Sequence, residues 1–276
     1  MTERTPLLAF ADLLYRHEYS LTQRSERMGR FLASGSIDLP AARGFIEDEA
    51  KTNPYAQFHA ARFLDLLRAL SAICDGLGVT SPRVLDCGIG PVTRIYGKVI
   101  GGIRLQTAGL PRRRPAEETA RRFGSSYHRY VDLDFESLGQ SMPEWQGEWD
   151  VVVFAEVIEH VRASPVEQIT DLLSMLRPGG YLIVSTPNAL SRAYVGRLMT
   201  GRLIATIYQR DKVREGQAHD FHVREYTPLE LHEAVAAAGG EIEQEGLFDW
   251  YEGGGDRAIT HVSGRDSMMF IIRRPG

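Results

Sequence analysis

One stretch constrains this chain more than any other: Val84-Leu85-Asp86-Cys87-Gly88-Ile89-Gly90-Pro91. A short apolar run ending in an acid and two closely spaced glycines reads as a buried strand leading into a tight turn. Glycine is needed where backbone must approach a ligand at the carboxyl end of a strand, because a Cβ would hold the ligand away. A glycine pair alone is weak evidence, since many tight turns have one and dinucleotide-binding domains use a related G-x-G-x-x-G. What surrounds it decides.

Past Ser81-Pro82 the chain alternates short β-branched apolar runs with helical stretches, the pattern of a parallel sheet with crossover helices. The strands expected are Val84-Leu85, Ile103 to Thr107, one around Tyr130-Val131, Val151 to Phe154, Tyr181 to Ser185, Glu241 to Phe248 and Ser267 to Ile272. The run Val151 to Phe154 is apolar throughout, as suits burial on both sheet faces. Helices are expected from Val166 to Leu176, stopped at Arg177-Pro178-Gly179-Gly180, and from Leu229 to Ala238. The last two strands, joined through Gly253 to Gly255, suggest an antiparallel hairpin.

Before the sheet, apolar residues recur at helical spacing, as in Phe10, Leu13, Leu14 and again in Phe63, Leu64, Leu67, Leu70, with breaks at Gly35 to Pro40 and at Asn53-Pro54. Residues 1–80 are therefore expected to form a helical N-terminal extension. Residues 81–276 are expected to form the α/β domain, with an Arg-rich insertion at about 188–223 acting as a lid above the strand ends. Cys74 and Cys87 lack paired metal-ligand spacing and are expected to be reduced thiols in a cytoplasmic protein. No signal sequence or bilayer-spanning segment is expected. A net charge of −4 provides no global positive field for nucleic acid.

The first turn resembles the first motif of class I S-adenosylmethionine-dependent methyltransferases. Trp149-Asp150-Val151-Val152-Val153-Phe154-Ala155-Glu156-Val157-Ile158-Glu159-His160-Val161 is similar to that family's fourth-strand motif, and Leu176 to Asn188 to its helix-turn-fifth-strand signature. The resemblance covers roughly Arg83 to Leu247. It implies a doubly wound, mostly parallel seven-stranded Rossmann-like sheet, with S-adenosylmethionine as cofactor. It also implies that Asp86, Gly88 and Gly90 hold the methionine part, that Ala155 lines the same cleft, and that Asp132 and Leu133 lie near the adenine. The plainer readings are a turn-capping carboxylate for Asp86 and a solvated loop for Asp132. One departure stands out: the family usually has an acid at the end of the second strand to accept from the ribose hydroxyls, and here Gly109 takes that place. Pro111-Arg112-Arg113-Arg114-Pro115 follows it, either as a solvated loop or as a cationic contact to the ligand.

Glu156, Glu159 and His160 form a second cluster. If a helix starts at Glu156, positions i, i+3 and i+4 share a face and the three side chains converge on one ion, with donors suited to Mg, Mn or Zn. The arrangement E-x-x-E-H is similar to that of ubiquinone-biosynthesis O-methyltransferases and Hen1-type small-RNA methyltransferases, which bind a divalent metal and carry a further histidine downstream. His219 and His222 are the candidates here. The plainer reading is acids favoured at a helix N-terminus, with His160 packed or hydrogen-bonded. Without a metal, His160, His219 or His222 is left as the general base. Tyr55, His59 and Arg62, also at helical spacing, face either the cleft or solvent. Trp250-Tyr251 is read mainly as core.

The expected function is methyl transfer from S-adenosylmethionine to an oxygen, with a nitrogen as the less favoured alternative, of a small-molecule acceptor, metal-assisted or not, with a homodimer as the candidate assembly. RNA 2′-O-methylation, and a degenerate fold serving as a binding subunit, are the alternatives. The acidic balance weighs against the first, and the intact Asp86, Gly88 and Gly90 against the second.

Overall fold

The computed structural model describes residues 21–110, 115–131, 137–201, 222–250 and 266–276. Among these residues four helices precede the sheet: α1 (Leu21–Ala33), α2 (Leu39–Ala50), α3 (Pro54–Phe58) and α4 (Ala60–Gly76). The breaks between them fall where expected. Asp38 and Asn53 each turn a side-chain oxygen back onto the next helix, accepting from the amides of Ala41 and Tyr55, and a proline fills the first turn of both helices. Phe10, Leu13 and Leu14 lie outside the described residues.

The strands are β1 (Arg83–Cys87), β2 (Arg104–Gly109), β3 (His128–Tyr130), β4 (Trp149–Ala155), β5 (Leu176–Pro187), β6 (Glu241–Phe248) and β7 (Ser267–Arg273). They form one sheet in the order β3-β2-β1-β4-β5-β7-β6. The first five pair in parallel, and β7 runs antiparallel to both β5 and β6. The doubly wound seven-stranded expectation is met. The chain leaves β1 toward β2 and later returns on its other side as β4, so the crevice at the carboxyl ends of β1 and β4 is where such a sheet receives a ligand.

Successive residues of a strand point to opposite faces, and β4 shows why its run is apolar throughout. Val151 and Val153 pack with Phe63, Leu66, Leu67 and Leu70 of α4. Val152 and Phe154 face the other way, toward Ile169 and Leu172 of helix α8 (Pro165–Met175) and Leu231 of α10 (Pro228–Ala237). The N-terminal helices and the sheet therefore share a core. The remaining helices are α5 (Thr93–Val99), α6 (Ala116–Arg122), α7 (Leu138–Ser141) and α9 (Arg192–Met199).

Two details depart from expectation. Strand β5 begins directly after α8, so Arg177-Pro178-Gly179-Gly180 is a kinked entry to the strand and not a separate turn. The register against β4 shifts there, between Trp149 and Val151. A Cβ on Gly180 would lie 3.0 Å from the backbone oxygens of Arg177 and Trp149, so two backbones meet where only glycine fits. The second departure, at Glu156, belongs to the site. Of the inserted segment, α9 and the return from His222 are described, and residues 202–221, with His219, lie outside. The return is tied down: Asn188 bridges to Tyr226, and Ala189 N donates to the Tyr226 carbonyl at 2.9 Å. Among the described residues no helix is long and apolar enough to cross a membrane.

Candidate active site

Asp86 lies under the turn after β1, only 3% exposed. Thr93 Oγ1 donates to its Oδ2 at 2.6 Å and accepts from the Gly90 amide at 2.9 Å. Burial pushes the Asp86 carboxyl up to about 7, and the Thr93 hydrogen bond offsets only part of that. Gly88 sits at φ 103°, and a Cβ there would stand 2.2 Å from Val157 Cγ2. A Cβ on Gly90 would meet nothing within 4 Å. A backbone stripped of side chains over a buried acid is the surface a ligand with a cationic end can approach closely.

Gly109 ends β2 and is buried. A Cβ there would make ordinary contacts, the nearest at 3.6 Å to Ile89 Cγ1, so packing does not dictate glycine. Around the same strand ends Thr107 Oγ1 lies 2.9 Å from His128 Nδ1, and Thr119 Oγ1 lies 2.8 Å from Tyr130 Oη. The His128 and Tyr130 rings meet edge to face at 4.7 Å. Sequence reasoning missed this polar set, whose only signal was alternation along three residues of β3. Asp132, Leu133 and residues 111–114 lie outside the described residues.

At the end of β4, Ala155 pairs with Ser185 of β5, and the Glu156 amide donates to the Ser185 carbonyl at 2.8 Å. The chain must then turn away abruptly. Glu156 takes φ 55°, and Ile158–His160 forms a single 3-10 turn. The helix expected to start at Glu156 is therefore not formed. Strand pairing holds Glu156 one residue longer, at a backbone cost of about 1 kcal/mol for a left-handed non-glycine residue. The Glu156 carboxylate accepts from Ser185 Oγ at 2.9 Å and pairs with Arg62 at 2.8 Å. Arg62 also donates to Tyr55 Oη at 2.7 Å. Of the helical trio, His59 and Arg62 are buried while Tyr55 stays half exposed; burial first, then Arg62, pushes the His59 imidazole down to about 3.

Glu159, His160 and His222 converge, each with a ligand atom within 4.8 Å of the others. Glu159 is 1% exposed and accepts from Thr186 Oγ1 at 3.0 Å. Burial, and then the nearby Glu156 carboxylate, raises its pKa well above the ordinary range. The backbone carbonyl of Glu159 accepts from the Val223 amide at 2.7 Å, which brings the return of the insertion onto this turn. His222 Nδ1 lies 2.6 Å from Glu225 Oε1, and its ring meets that of His160 nearly at right angles, with centroids 4.8 Å apart. Burial disfavours the His222 cation, but the Glu225 hydrogen bond and the surrounding carboxylates outweigh it and raise the pKa. Trp250, read as core, is 4% exposed and donates through Nε1 to Asp65 at 3.1 Å; Tyr251 is outside the described residues.

A family profile described as "Methyltransferase domain" matches residues 55–245, more than half of the chain. The chain is 26% identical over 192 residues to a ubiquinone biosynthesis O-methyltransferase of Thiobacillus denitrificans, covering 70% of this chain and 78% of that one. A Ruegeria pomeroyi protein of the same name is 24% identical over 237 residues, covering 79% and 88%. In structure the chain is similar to an S-adenosylmethionine-dependent methyltransferase from Mesorhizobium loti, with TM-score 0.52, 18% identity and coverage of 75% and 98%. It is also similar to the CurJ carbon methyltransferase, with TM-score 0.52 and 14% identity over 82% of this chain, which spans 57% of that one. The chain belongs to the methyltransferase domain family and is an S-adenosylmethionine-dependent methyltransferase.

Proposed function

We propose that this enzyme methylates an oxygen of a small-molecule acceptor, with a divalent metal ion held by Glu159, His160 and His222. The observation that carries this reading is the convergence of one carboxylate and two imidazoles at the carboxyl end of β4, beside the crevice at β1. The ubiquinone-type names of its relatives support an oxygen acceptor, and the buried free thiols of Cys74 and Cys87 accord with a cytoplasmic enzyme.

The donor set fits an ion. Oxygen and imidazole ligands suit Zn or Mn, and the His222 Nδ1 contact with Glu225 leaves Nε2 to ligate, the usual way a carboxylate orients a metal-binding imidazole. Thr186 orients Glu159 likewise. A bound ion would lower the pKa of an acceptor hydroxyl. S-adenosylmethionine supplies a methyl group already activated on its sulfonium. The residues of the chain then have to position and exclude water. Asp86 with the Gly88 and Gly90 backbone receives the methionine end, Ala155 lines the cleft between the two sites, and Asp132 and Leu133 belong to the adenine side. Gly109 leaves the ribose without the usual acid.

A second reading is favoured by the same 2.6 Å contact. Glu225 raises the basicity of His222, so without an ion His222, next to His160, is a general base oriented by a carboxylate. Isothermal titration separates the two. S-adenosylmethionine and S-adenosylhomocysteine are titrated into the chain with and without Mn or Mg; Asp86→Ala is expected to lose the cofactor heat. Glu225→Gln is expected to weaken metal binding by about 10- to 100-fold, the scale of a lost orienting partner. Full methyl transfer after exhaustive chelation would establish the general-base reading, and absence of cofactor binding at millimolar concentration would defeat both.

A further inference from the structure

Glu156 stands three residues before Glu159, yet the converging group comprises Glu159, His160 and His222 without it. Both of its carboxylate oxygens are held elsewhere, Oε1 by Ser185 Oγ at 2.9 Å and Oε2 by Arg62 at 2.8 Å. Arg62 is itself fixed. Its Nη2 donates to Tyr55 Oη at 2.7 Å, and its guanidinium carbon lies 5.6 Å from the Tyr55 ring centroid and 5.5 Å from that of Phe63. The two charged side chains are 6% and 9% exposed. A buried ion pair seldom makes a fold more stable than apolar packing would. Here it coincides with the left-handed backbone of Glu156. Two unfavourable features at one residue beside a converging ligand group point to a role in the site.

We propose that Arg62 is a positioning residue that holds Glu156 against Ser185, keeps this second carboxylate out of the ligand group, and so sets the site for a borderline transition ion over magnesium. The proposal rests on reading Glu159, His160 and His222 as metal ligands. Two imidazoles and one carboxylate suit Zn, Mn or Fe(II). Magnesium prefers an all-oxygen shell and is drawn by carboxylates. A free Glu156 would add both an oxygen ligand and a negative charge. Paired with Arg62 it adds no oxygen ligand, and the guanidinium beside it offsets part of its charge.

The test uses the full chain, titrated calorimetrically with zinc and with magnesium, together with the visible spectrum of the Co(II)-loaded protein. In Arg62→Met, magnesium affinity is expected to rise relative to zinc on the order of tenfold, the scale on which partners of metal ligands act. The Co(II) bands are expected to weaken as coordination expands. Arg62→Lys, which keeps the charge, is expected to retain the original preference, and Arg62→Met/Glu156→Gln to restore it. Glu156→Gln alone is expected to leave zinc affinity within about twofold, a measurement that stands even if Arg62→Met does not fold. An unchanged zinc-to-magnesium ratio and Co(II) spectrum in folded Arg62→Met, or zinc binding weakened on the order of tenfold in Glu156→Gln, would overturn the proposal alone. Failure of the unmodified chain to take up either ion would overturn the metal reading and this proposal with it.

Discussion

The Asp86 carboxyl lies beneath the glycine turn with Thr93 donating to it, and burial keeps it protonated up to about pH 7. Its ordinary value is 3.8, so between about pH 4 and pH 7 the unfolded chain has released a proton that the native chain retains. Stability from this group therefore declines as pH rises through that window and stays lower above it. Asp86→Asn is expected to remove the dependence. The difference in unfolding free energy between variant and parent should grow with pH toward an upper bound of about 4 kcal/mol at pH 8. A difference independent of pH would contradict burial as the cause. The two glycines above Asp86 separate structure from binding. Gly88→Ala meets Val157 and a φ of 103°, and is expected to cost about 2–4 kcal/mol of stability. Gly90→Ala, with open space around its Cβ, is expected to keep the fold and lose affinity for S-adenosylmethionine alone. Melting curves and ligand titration on the two variants test this contrast.

Element by element, the parts carried by local pattern were readable and those carried by distant partners were not. Strand β6 runs from Glu241 to Phe248 as its alternation indicates, and Pro165 and Pro228 open helices one residue ahead of the expected starts. Helix α10 is also secured by a capping box, in which Thr227 and Glu230 satisfy each other's amides at 3.2 and 2.8 Å. Thr227→Ala is expected to destabilise the protein by about 1 kcal/mol in chemical denaturation, and Thr227→Ser to retain most of that. The E-x-x-E-H spacing at Glu156 fits a helix equally well on paper. What prevents one is pairing with Ser185, a residue on another strand, which no window around Glu156 contains. Arg62 is illegible for the same reason, because its helical spacing admits a solvent-facing or a cleft-facing side and only the fold chooses. Glu225 carried no pattern at all, though it orients His222.

At the scale of the whole molecule, the helices before the sheet are structural cover as well as a source of site residues. Phe63, Leu66, Leu67 and Leu70 close the face of the sheet that carries Val84, Val151, Val153 and Ile183. Deleting residues 1–78 is expected to abolish the cooperative unfolding transition and to produce strong binding of a hydrophobic dye. A sharp calorimetric transition in the truncated chain would show that the sheet stands alone. The Asn188–Tyr226 bridge and the Val223 contact to Glu159 cinch the two ends of the insertion together at the rim of the site. These contacts act as a drawstring on the chain between them, which includes α9 and residues 202–221. Changes of length or composition between Met199 and His222 are therefore expected to leave His222 and the methyl-donor turn where they are, so this stretch can drift between descendants while the chemistry of transfer stays in place.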